Sequence, residues 1–128
     1  MADVDQSQEK AFARFPRWVY GSGEEPDPRF TFANERTFLA WIRTALTLIA
    51  SGVAVEALSV PLGDPLRRTL ALLLLALGLV CGAASWVRWA RAERALRRHE
   101  PLPATPVAAA LLSLGVISCV GLLVVGLW

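Results

Sequence analysis

Residues 101–128 run without a charged side chain (PLPATPVAAALLSLGVISCVGLLVVGLW), and so do residues 69–87 (TLALLLLALGLVCGAASWV). A helix needs about 20 largely apolar residues to cross a hydrocarbon layer roughly 30 Å thick, and a helix satisfies its own backbone groups there. Both runs therefore predict spanning helices. A third stretch, residues 37–60, has the length and carries Arg43 and Glu56 among apolar neighbours. The totals agree, with 55% of the 128 residues hydrophobic, 19% charged and a mean hydropathy of +0.46. That balance is too apolar for a water-soluble domain of this size. The expected fold class is an all-α integral membrane protein with three transmembrane helices at about residues 37–60, 69–88 and 104–127. A tail and linker at residues 1–27 precede the transmembrane domain at 28–128.

The distribution of charge says more than the net value of +2. Lys10, Arg14, Arg17, Arg29 and Arg36 precede the first span, and Arg67 and Arg68 lie between the first and second. Arg88, Arg91, Arg94, Arg97 and Arg98 follow the second span, and no basic residue follows the third. Positive-inside counting predicts a cytoplasmic N-terminus and an external C-terminus. The polar start, MADVDQSQEK, lacks the basic and apolar regions of a cleavable signal peptide, so no removal is expected. Cys81 and Cys119 fall inside predicted spans without metal or redox spacing and read as small packing residues. His99, alone in the basic loop, reads as solvated.

Residues 8–20 mix Phe12, Phe15, Trp18 and Tyr20 with Lys10, Arg14 and Arg17, the composition of a segment lying at an anionic interface. Residues 21–28 form a linker of turn residues. It ends in a helix start signal, because Asp27 can cap and Pro28 suits the first helical position. A helix over residues 28–60 would be about 50 Å long and project beyond the hydrocarbon. Pro61, Gly63, Asp64 and Pro65 predict a tight turn. The second helix is expected to continue past Val87 through WARAERALRRHE, with Glu93 able to pair with Arg97, until Pro101, Pro103 and Pro106 intervene. Trp86, Trp89 and Trp128 fall near the expected interfaces.

On the first helix Arg29, Arg36 and Arg43 recur every seven residues, so they drift by only about 20° per step and share a stripe. Ala50 and Ala57 continue it, flanked by Ala33, Ala40, Thr47 and Ala54. A different face, Leu39, Ile42, Leu46, Ile49, Val53 and Val60, is expected to be the packing seam. A charge such as Arg43, if fully central in hydrocarbon, costs at least ~2.5 kcal/mol, and something must offset that. One solution is snorkelling to lipid phosphates. The other is a homo-oligomer whose copies stack rings of guanidinium groups around an axis, a form suited to phosphate or another anion. Asn34, Glu35, Glu56, Arg88 and Arg91 are expected to be structural polar partners. Glu35 would meet Arg88 or Arg91, Glu56 would meet Arg67 or Arg68, and Asn34 would serve nearby backbone groups. Gly78 and Gly82 form a GxxxG pair.

The run FANERTFLAWIRTALTLIA, with its NERTFLAW core at Asn34 to Trp41, resembles the YidH-type family of small bacterial inner-membrane proteins, domain of unknown function 202. The same core is similar to the first membrane helix of the vacuolar transporter chaperone subunits of eukaryotes, which make polyphosphate and pass it through a membrane pore. That resemblance implies pore-lining roles for Arg29 and Arg36, and implies nothing for Arg43. It also implies a membrane module without a synthase, since the chain lacks that family's cytoplasmic polymerase and phosphate-sensing domains.

Two functions follow as expectations. The first is a homo-oligomeric channel or anion-binding module in which Arg29, Arg36 and Arg43 meet phosphate or polyphosphate. The second is a non-conducting scaffold or accessory subunit whose arginines hold membrane lipids or a partner. No catalytic set, cofactor, metal centre or nucleic-acid partner is expected.

Overall fold

A computed structural model describes residue 6, residues 14–104 and residues 106–128. Among these residues the chain forms a short helix α1 (Arg17–Tyr20) and three long ones, α2 (Pro28–Ala57), α3 (Asp64–Arg97) and α4 (Pro106–Leu127). Pro28–Ala57, Asp64–Arg97 and Val107–Leu127 are each long and apolar enough to cross a membrane. Lys10 and Phe12 of the expected interfacial segment lie outside the described residues.

Helix α2 starts where its cap chemistry predicts. The Asp27 carboxylate accepts from the Arg29 N–H at 2.9 Å, and Pro28 occupies the first turn, where a missing N–H costs nothing. The helix ends at Ala57, three residues before the expected Val60. Val60 precedes Pro61, whose ring disfavours helical backbone in the residue before it, and Ser59 has turned to a φ of 48°. Helix α3 runs for 34 residues, about 51 Å, through the basic stretch that follows Val87. It closes in a Schellman motif, with His99 left-handed at a φ of 53°. The Glu100 N–H donates to the Ala95 carbonyl at 3.0 Å, and the His99 N–H to the Leu96 carbonyl at 3.4 Å. His99 is exposed.

The chain divides into two compact units. One comprises the described residues of Met1–Phe38 and Val87–Ala104; the other comprises those of Leu39–Trp86 and Thr105–Trp128. In the second unit, Leu62, Leu70 and Cys119 are buried together, with Val55, Leu66, Leu73, Leu77 and Leu123 against them. Cys81, also buried, places its thiol 3.7 Å from the Trp41 carbonyl.

The packing seam of α2 uses only part of the large apolar face that spacing predicts: Ile42, Ile49 and Val60 are half-buried, with Ile49 against Gly78 and Val60 against the Leu62, Leu70 and Cys119 cluster. Leu39, Leu46 and Val53 are more than half exposed, whereas Ala45 and Gly52 are buried. In lipid a leucine gains little by leaving one apolar medium for another, so small residues that let backbones approach closely make the contact. Gly78 of α3 shows how close: a Cβ there would stand 2.9 Å from the Ala45 carbonyl oxygen and crowd Ile49. Much of α4 is exposed apolar surface, including Val107, Leu111, Leu114, Ile117 and Val125, as suits a helix bathed in acyl chains.

Candidate functional site

Arg29 and Arg36 lie in the first unit and Arg43 in the second, all on α2 and all exposed. Their guanidinium groups form no ion pair or hydrogen bond among the described residues. In each unit the arginines point away from the helix's own contacts. At 100° per residue, buried Asn34 stands about 140° around the helix from Arg29 and about 160° from Arg36. In the second unit buried Ala45 stands about 160° from Arg43, and buried Gly52 about 180°. Ala33, Ala40, Thr47, Ala50 and Ala57, beside or above the arginines, are also exposed, and Ala54 is half-buried.

The first unit holds a polar cluster around the Glu93–Arg97 pair that spacing predicts and the Asn34 side chain expected to serve backbone groups. Glu93 of α3 is 1% exposed. It accepts from Thr31 Oγ1 at 3.4 Å and from Asn34 Nδ2 at 3.5 Å, and lies 3.8 Å from Arg97 Nε. Asn34 Nδ2 also donates to the Trp89 main-chain carbonyl at 3.1 Å. Arg97, 3% exposed, sits over the Tyr20 ring at 4.7 Å and donates through Nη1 to the Tyr20 carbonyl at 3.3 Å. The Trp89 ring lies 6.4 Å from Tyr20 and 6.2 Å from Phe38. Burial first, and the Glu93 carboxylate second, push the Tyr20 phenol above its ordinary value of 10.0.

Residues 21–28 do more than link. Gly23, at a φ of 68°, lies so close to the Arg97 carbonyl that no Cβ fits, and the next residue, Glu24, donates its N–H to that carbonyl at 3.0 Å. Arg14 and Glu25 pair at 3.2 Å. The segment from Arg14 to Asp27 is thus a strap docked on the basic end of α3. The legible signal is the i,i+4 spacing of Glu93 and Arg97; their burial depends on a strap that spacing along α3 does not reveal.

The expected partnership of Glu35 with Arg88 or Arg91 is not formed. Glu35 is exposed and makes no ion pair among the described residues, because it sits a further 100° around α2 from Asn34, off the buried side. Glu93 occupies the interior instead. Arg91 is exposed, and a terminal nitrogen of Arg88 is buried without a hydrogen-bond partner among the described residues. In the second unit Glu56 lies 3.6 Å from Arg67, which also reaches Asp64 at 3.2 Å.

Residues 29–95 match the family model described as "Domain of unknown function (DUF202)". The chain is 48% identical over 103 residues to uncharacterized protein Rv2272 of Mycobacterium tuberculosis, covering 80% of this chain and 79% of that protein. It is 49% identical over 84 residues to inner membrane protein YidH of Escherichia coli, covering 65% of this chain and 73% of YidH. A more distant relative is vacuolar transporter chaperone complex subunit 2 of Toxoplasma gondii, 32% identical over 111 residues, covering 80% of this chain and 8% of that subunit. No solved structure matches. With half of its length inside the family model and three helices fit to span a bilayer, the chain belongs to the DUF202 family of small, YidH-like inner-membrane proteins.

Proposed function

We propose that this protein is a homo-oligomeric membrane module in which the α2 helices of several copies surround a shared axis. Arg29, Arg36 and Arg43 then form stacked guanidinium rings that bind and conduct a phosphate-rich anion entering from the cytoplasm. The observation that carries this reading is the position of the arginines: exposed, without a carboxylate among the described residues, and turned away from the seam α2 uses within its own chain. A guanidinium at the depth of Arg43 needs a partner outside its own chain, and planar donor forks suit phosphate oxygens. The small residues Ala40, Thr47 and Ala54 leave room for a narrow path or for close helix approach. The similarity to a subunit named for a vacuolar transporter chaperone complex supports the same direction. In this reading the N-terminus is cytoplasmic, the C-terminus external, and the protein is not an enzyme.

Reconstitution in liposomes tests it. The parent protein is expected to pass phosphate or short polyphosphate above the leak of empty liposomes. Arg36→Ala or Arg43→Ala is expected to lower that flux, because rings of basic side chains are what select anions in such pores. Flux no greater than that of empty liposomes contradicts conduction and supports the second reading, a scaffold whose arginines hold lipid head groups.

A further inference from the structure

A second cationic face lies wholly within the first unit, on α3. Arg91 and Arg94 near the end of that helix and Arg98 just after it, whose N–H still bonds the Arg94 carbonyl at 3.2 Å, stand three and four residues apart, so they share one face over about 10 Å. Val87, one turn before Arg91, continues the face toward the apolar part of the helix. A groove of about 600 Å³ lies over these residues, flanked by Trp18 of α1 and by Pro101 and Pro103 of the segment after α3.

Three features make this groove a site. The Arg94 guanidinium lies 6.0 Å from the Trp18 ring, so the strap and the helix form the wall together. Arg94 Nε is buried and has no hydrogen-bond partner among the described residues, a condition it shares with Nε of Arg67 and of Arg97 and a terminal nitrogen of Arg88, but Arg94 alone of the four has neither a carboxylate partner nor a place outside this groove. The one carboxylate in the groove, Glu100, lies 3.9 Å from Arg98, and Arg91 and Arg94 have no carboxylate partner among the described residues.

We propose that this groove binds the phosphate head group of an anionic phospholipid, with Arg91, Arg94 and Arg98 on the phosphate oxygens and the acyl chains leaving along the Val87 side. Guanidinium forks match phosphate oxygens two at a time. The wall suits an amphiphile better than a free anion: it is cationic at one end and apolar at the other, and it carries the indole of Trp18, a ring type enriched at the level of lipid head groups. The site shares no residue with the α2 arginines and does not rest on the function proposed for them.

Native mass spectrometry of the full chain in detergent, titrated with phosphatidylglycerol and phosphatidylcholine, tests this. Phosphatidylglycerol is expected to be retained about tenfold better, from the attraction of several arginines for one anionic head group. The double substitution Arg91→Gln with Arg98→Gln changes two exposed side chains and is expected to bring the ratio near one, with helical content by circular dichroism unchanged. Should the double variant fold poorly, Arg91→Gln alone is expected to lower the ratio by about threefold. Substituting Arg29, Arg36 and Arg43 together with glutamine is expected to leave it unchanged. A well-folded double variant that keeps the preference would overturn the proposal. So would loss of the preference in the α2 triple variant alone, which places the lipid on the ladder, or complete displacement of phosphatidylglycerol by excess inorganic phosphate, which makes this a free-anion site.

Discussion

Glu93 and Arg97, one turn apart on α3, hold their charged groups 3.8 Å from each other with only 2% and 3% of the side chains exposed. At a solvated surface such an i,i+4 pair contributes about 0.3–0.5 kcal/mol. Here Thr31 and Asn34 donate to Glu93 and Arg97 donates to the Tyr20 carbonyl, while Arg97 Nε keeps no hydrogen bond among the described residues, so the pair belongs to a buried network that ties the strap and the start of α2 to the end of α3.

Breaking that pair should therefore cost far more than deleting it whole. Glu93→Met leaves a buried guanidinium without its counter-charge and is expected to destabilise the fold by about 3–5 kcal/mol. Replacing both residues by methionine is expected to be much closer to the parent. Unfolding transitions in detergent for both single variants and the double variant measure the coupling; a double variant as unstable as the sum of the singles would show that the charges are not coupled.

Tyr20 reports on the same cluster, and it is the one tyrosine in the chain. Its phenol is raised by burial and then by Glu93, so tyrosinate absorbance should appear with a midpoint above 10.0. The sign for stability follows. The unfolded chain releases this proton first, so the contribution is complete below pH 10.0 and declines as pH rises from there through the folded-state value. Glu93→Gln should shift the midpoint down while leaving it raised, because burial is the larger cause.

Two glycines with similar sequence surroundings should respond in opposite directions. Gly78→Ala places a methyl group 2.9 Å from the Ala45 carbonyl oxygen and against Ile49, and the helices must separate. An added Cβ at Gly121 meets nothing within 4 Å, so Gly121→Ala gains helix propensity of up to about 1 kcal/mol without a clash. Melting temperatures in one detergent should fall for the first and hold or rise for the second.

Hydropathy and punctuation made most of the fold legible, because three spans, a cap at Asp27 and the extension of α3 each have a local cause. What escaped depends on contacts distant in sequence. The Leu39, Leu46 and Val53 stripe reads as a seam by spacing, yet lipid removes the reason for burying it, and the small residues beside Ala45 take its place. Gly23 reads as a linker residue until the Arg97 carbonyl is seen against it. The arginine ladder was visible as a periodicity; the side of α2 left free for it became visible only once Asn34, Ala45 and Gly52 were found buried.

Disulfide trapping between copies tests the orientation of the ladder most directly. In a background with Cys81→Ala and Cys119→Ala, Arg43→Cys in native membranes should cross-link copies on mild oxidation, while Thr44→Cys, exposed but about 100° around the helix, should not. No trapping at Arg43→Cys would show that these side chains meet lipid and not one another, and equal trapping at both positions would show that the contact between copies is not confined to the ladder's side of α2.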